Sequence, residues 1–168
     1  MAKAKFSFSA FEDTLRGTGL RSAQQQRYPS GGDVIQYDDA TLTATSNPSN
    51  YSMNARYRRD NDTFQMWFRI TLTGSPGGSG AWNIDVPYPM DSLVMQDGVI
   101  GTWRARRSSV ATMAAGPIMY TSASKALFEY PAAWPSGTPT NVSSTAPWAW
   151  AVNDTIGGYI SAIIDRSV

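Results

Sequence analysis

Phe64, Met66, Phe68, Ile70 and Leu72 occupy every second position of one stretch. Gln65, Arg69 and Thr71 fill the places between, with Trp67 the one large apolar residue among them. Successive side chains of a strand point to opposite faces, so a period of two specifies a long half-buried strand. A helix would instead repeat its apolar stripe every third or fourth residue. Residues 74–80, rich in Gly, Ser and Pro, end the strand. Trp82, Ile84 and Val86 then alternate on a second one, which Pro87 stops. A pair of this kind points to an all-β chain.

The same signals recur on both sides. Upstream, Thr41, Thr43 and Thr45 alternate with Leu42 and Ala44. Tyr51, Met53, Ala55 and Tyr57 alternate with Ser52, Asn54, Arg56 and Arg58. Asp60-Asn61 forms a tight turn into the long strand. Downstream, shorter candidate strands cover 99–105, 110–113, 118–122 and 126–130. A Pro-rich loop follows over 131–146, and 155–164 makes the last strand. Many strands with closely spaced turns and almost no helix predict an antiparallel β-sandwich or jelly roll.

Residues 1–36 are different. Lys3, Lys5, Arg16, Arg21 and Arg27 outnumber Glu12, Asp13 and Asp33, and Phe6, Phe8 and Phe11 are too few to build a core. The expected organisation is an N-terminal anchoring arm over 1–36, extended and docked on something else, and a β-domain over 37–168. The first residues lack the apolar stretch of a secretory signal, and no segment is apolar enough for a membrane span. The expectation is a protein made in a host cytoplasm, with no membrane insertion. A net charge of +1 gives no general attraction for nucleic acid. The chain has no Cys and no His, which removes thiolate chemistry and the usual base near neutral pH. No catalytic residue, metal site or cofactor is expected.

The succession Thr41-Leu42-Thr43-Ala44-Thr45, Arg56-Tyr57-Arg58-Arg59, Phe68-Arg69-Ile70-Thr71-Leu72-Thr73 and Gly80-Ala81-Trp82-Asn83-Ile84-Asp85-Val86-Pro87 continues through Val99-Ile100-Gly101 and Ser122-Ala123-Ser124. It closes with Pro147-Trp148-Ala149-Trp150 and Asn153-Asp154-Thr155-Ile156. In order and spacing this resembles a β-sandwich domain of virion proteins of tailed bacteriophages, especially those infecting actinobacteria. The chain departs from that pattern at Asn54-Ala55, where Gly is usual, and in a final strand without an acidic ending. The resemblance implies a trimeric jelly roll on the capsid or at the end of a fibre.

The expected function is that of a virion structural protein without enzymatic activity, a homotrimeric capsid decoration protein. Its arm would bind the major capsid protein or other virion proteins through Lys3, Lys5, Phe6, Phe8, Phe11, Arg16, Arg21 and Arg27. No coiled-coil or repeat shaft stands in the sequence, which favours the capsid over the tail. The alternative is a minor tail or receptor-binding protein that recognises a host surface glycan. A small carbohydrate-active enzyme is a remote third.

Individual residues carry more than one reading. Asp38-Asp39, Asp60 with Asp62, and Asp91 with Asp97 are the nearby carboxylate pairs a glycosidase would need. Asp is also the ordinary turn residue, and that reading is preferred. Arg104, Arg106 and Arg107 suit a subunit contact first, a solvated strand end second and an acidic ligand third. Trp67 lies opposite the apolar face of its strand, and Tyr159 and Ile163 lie opposite Ile156, Ile160 and Ile164. A sandwich strand needs one apolar face, so these three are further candidate subunit contacts. Trp148 and Trp150 share a face and suit the core or the trimer axis. Trp134, between Ala133 and Pro135, is the better candidate for stacking on a sugar.

Overall fold

The computed structural model describes residues 34–96, 98–110, 112–131 and 139–166. The anchoring-arm residues from Lys3 to Arg27, together with Asp97 and Trp134, lie outside them. In chain order the elements are β1 (Ile35–Gln36), β2 (Leu42–Thr43), β3 (Tyr51–Asp60), β4 (Thr63–Leu72), β5 (Asn83–Asp85), α1 (Ser92–Met95), β6 (Val99–Arg106), β7 (Met113–Ser122), β8 (Lys125–Pro131), β9 (Pro139–Asn141) and β10 (Thr155–Ile163).

The fold is all-β and antiparallel, as the alternation requires. The strands form one sheet in the order β1-β3-β4-β10-β6-β7-β8-β5-β2, with β9 added to β8. β3 and β4 are a hairpin in register from Tyr51↔Leu72 to Asp60↔Thr63, and Asn61 turns it with φ of 50°. The last strand, β10, enters between β4 and β6 and joins the early hairpin to the β6-β7-β8 meander.

The sheet curls over its own core into a jelly-roll-like sandwich. β8 stands four places from β4 along the sheet, yet the rings of Phe68 and Phe128 approach to 5.5 Å. Tyr57 of β3 meets Tyr88, just beyond β5, at 5.4 Å. Tyr37 donates to the Val86 carbonyl at 3.1 Å and stitches the same seam. Burial, helped by the carboxylates of Asp85 and Asp39, pushes its hydroxyl up to about 12. Phe64, Met66, Ile70 and Leu72 are at most 1% exposed. Burying each contributes about 1.5–3 kcal/mol against the ordering entropy of the chain. Trp82, Ile84 and Val86 face the same core.

Several boundaries differ from the sequence expectation. The sheet takes in Ile35 and Gln36, which add to β3 opposite Tyr57 and Arg56. The candidate strands 110–113 and 118–122 give way to one continuous strand, β7, running through Gly116 and Pro117. Gly-Pro ordinarily marks a break. Here the ladder from β7 to β8 begins only at Ile118, so Pro117 is paired on one side alone, with Thr102. The β-signal of 41–45 shrinks to Leu42–Thr43. The one-turn helix α1 was not expected, and Asp91 caps it by accepting from the Leu93 and Val94 amides at 2.9 and 3.3 Å.

A basic and aromatic outer face

The period of two that fills the core also decides what stands outside. On β4 the outward positions are Gln65, Trp67, Arg69 and Thr71, and on β10 they are Thr155, Gly157, Tyr159, Ser161 and Ile163. Register places Tyr159 between Trp67 and Thr102, and Gly157 between Arg69 and Arg104. The rows extend to Arg56 beside Trp67 and Asn54 beside Arg69 on β3. On β7, Pro117 stands beside Thr102, Ala115 beside Arg104 and Met113 beside Arg106. Trp67 is 39% exposed, and its ring lies 5.5 Å from that of Tyr159.

This face is basic. Its outward positions on β3, β4, β10, β6 and β7 hold Arg56, Arg58, Arg69, Arg104 and Arg106, and a single acidic residue, Asp60 at the hairpin end. Arg58 donates to Gln65 at 2.7 Å. The side chains of Arg56, Arg69, Arg104 and Arg106 are exposed and make no ion pair or hydrogen bond with a described residue. Two depressions open there. One of about 360 Å³ is bordered by Arg69, Arg104, Arg106, Thr155 and Gly157. The other, about 840 Å³, runs past Thr102, Tyr159 and Pro117 towards Tyr130. Arg104 and Gly157 border both.

The sheet thus brings together four of the expected contact residues: Trp67, Tyr159, Arg104 and Arg106. Ile163 has the same outward orientation but lies at the far end, beside Thr63. Arg107 is separate. It follows β6 into a turn, its amide bonds the Thr112 carbonyl at 3.0 Å, and its Nε is enclosed without a partner. Arg56, Arg69 and Gly157 were not singled out from sequence. Arg56 and Arg69 carried a signal, the polar half of each alternation. What no local pattern supplied was the insertion of β10 between β4 and β6, which makes neighbours of residues far apart in the chain, such as Arg69 and Gly157.

Trp148 and Trp150 are structural. Trp150 is buried and stacks on Trp82 at 5.3 Å, while Trp148 packs against Trp150 at 5.0 Å, which gives the core reading. Asp154 is the one fully buried charged side chain among the described residues. Its Oδ1 accepts from the Ser108 amide and hydroxyl at 2.7 and 2.9 Å, and its Oδ2 from the Ala151 amide and Trp148 Nε1 at 3.0 and 3.2 Å. Burial alone raises a carboxyl pKa, but these four donors outweigh it and hold Asp154 below its ordinary value. With Leu72 donating to its backbone carbonyl, Asp154 ties the ends of β4 and β6 to the start of β10.

Two of the paired acidic residues have a visible structural role. Asp91 is a helix cap, and Asp62 pairs with Arg166. Among the described residues no group of three or more Asp or Glu is placed to hold a metal, and no helix is long and apolar enough to cross a membrane. Comparisons with protein families, with curated proteins and with solved structures found no match for this chain.

Proposed function

We propose that the protein is a structural component of a tailed-bacteriophage particle, a homotrimeric capsid decoration protein whose N-terminal segment attaches it to the shell. The observation that carries this reading is the continuous core of the β-domain. One continuous hydrophobic cluster runs from Leu42 to Ile164, and the inward positions of the long strands are filled from within it. The three phenylalanines and five basic residues before residue 34 would serve the partner, since an extended segment pairs readily with an open sheet edge. The sequence resemblance supplies the identity of that partner.

Like charges would crowd if the arginine face met itself around a threefold axis. The subunit contact therefore falls better on Leu93, Val94 and Val99, three apolar side chains that are 93%, 56% and 63% exposed within seven residues. Deleting residues 1–30 should leave a cooperative thermal transition intact and remove the protein from particles. Charge reversal at Arg16, Arg21 and Arg27 should weaken attachment. A truncated protein that still covered heads at full occupancy, or native protein found by electron microscopy only at the tail tip, would overturn the assignment.

A further inference from the structure

Gly157 has no folding reason to be glycine. Its φ lies outside the left-handed region, and among the described residues a Cβ there would meet a single atom, the Phe68 carbonyl oxygen, at an ordinary 3.5 Å. Glycine inside a strand weakens it, and it often marks a place where a ligand approaches the backbone. The neighbouring Gly158 is the control. Its Cβ would lie 2.7 Å from Phe68 Cε1 and 2.8 Å from the Thr102 carbonyl oxygen, so packing requires that glycine.

The missing side chain at 157 leaves a slot between Arg69 and Arg104, whose backbones are about 10 Å apart, twice the strand spacing. Two guanidinium groups flank a strip of bare backbone, and Arg106 and Thr155 close one end. Two residues along β10, the slot opens onto the exposed Trp67, the half-buried Tyr159 and Pro117. Guanidinium forks suit carboxylate and phosphate, and flat aromatic rings suit the apolar face of a sugar.

We infer that this face binds an acidic glycan. A carboxylate or phosphate group enters the slot over Gly157 between Arg69 and Arg104, and the adjoining sugar ring lies on Trp67 and Tyr159. The inference stands apart from the virion reading, because it concerns the isolated domain and needs no particle. Charge complementarity commits the occupant: a neutral glycan would leave the four arginines unpaired, and a second copy of the face would bring eight together.

Calorimetric titration of the full chain tests it with four probes: oligogalacturonate, phosphorylated dextran, neutral dextran and inorganic polyphosphate. Binding is expected for at least one of the first two, and the pair shows whether carboxylate or phosphate is preferred. Neutral dextran should not bind. Arg69→Ala, Arg104→Ala and Gly157→Val should each weaken binding about tenfold, the worth of one charge-assisted contact. Trp67→Ala should weaken it about fivefold for the glycans and leave any polyphosphate binding unchanged. Melting temperatures that do not fall would separate these losses from misfolding. The inference is overturned if neither acidic glycan binds or if neutral dextran binds as well. It fails equally if polyphosphate matches the glycans with no effect of Trp67→Ala, or if light scattering shows that Gly157→Val dissociates an oligomer.

Discussion

Gly157 and Gly158 are neighbours in sequence and opposites in physics. Gly158 faces the core, where the Phe68 ring and the Thr102 carbonyl fill the space a side chain would need. Gly157 faces outward, where one carbonyl oxygen is the only atom of the described residues that a side chain would meet. The contrast extends to the whole sheet. Inside, every second residue of β4 is buried and its chemistry is interchangeable as long as it is apolar and fits. Outside, particular residues stand in particular rows, with arginine across from arginine over a gap. The inner face answers to packing, and the outer face answers to whatever binds there.

The contrast breaks most visibly if a charge is placed inside. Phe68→Asp or Ile70→Asp buries a carboxylate without a partner, which costs several kcal/mol of a total near 5–15 kcal/mol. Neither variant should yield soluble folded protein. Recovery of a cooperative melt from either one would mean that the two faces are interchangeable after all.

Asp154 is the natural exception, a charge that the interior accepts because four donors surround it. Asp154→Asn replaces an acceptor oxygen with an amino group and opposes the Ala151 and Trp148 donors or the Ser108 pair. The expected loss is about 2–3 kcal/mol in urea denaturation, the worth of hydrogen bonds to a charged group. The pKa is lowered in the folded state, so this stabilisation is present above the unfolded value of 3.8 and lost as pH falls through the folded one. The native protein should therefore weaken through that acid range, and Asp154→Asn should flatten that part of the profile. An unchanged acid limb would assign it to other carboxyls.

The smallest effects sharpen the comparison at the two glycines. Gly158→Ala should cost about 1–3 kcal/mol, since the Phe68 ring must move in a filled core. Gly157→Ala should gain about 0.5–1 kcal/mol by restricting the unfolded chain. Thermal melts that rank the two variants the other way would reverse the assignment of faces on β10.

Much of the inner face was legible because a period of two is local. Phe64 through Leu72 need no knowledge of their neighbours to declare a strand and its buried side, and Trp82, Ile84 and Val86 do the same. Asp60-Asn61 announced its turn for the same reason. Gly116-Pro117 misled, because a proline's cost in a strand depends on whether a partner strand stands beside it, and that is a long-range fact. The outer face was legible only in pieces. Arg104, Arg106, Trp67 and Tyr159 stood out singly, and the alternation around Gly157 and Gly158 gave each a face without saying which strands stand beside it.

By itself the sequence determined the fold class and the buried faces of β4 and β10, since alternation and turn chemistry act over a few residues. The tertiary structure alone decided that β10 lies between β4 and β6 and that Arg69, Gly157 and Arg104 share one row. It also decided that Asp154 would be enclosed by Ser108, Trp148 and Ala151. Strand order is set by closing the core over distant segments, and cross-strand neighbours inherit it. A binding face assembled from three strands exists only once that order is fixed.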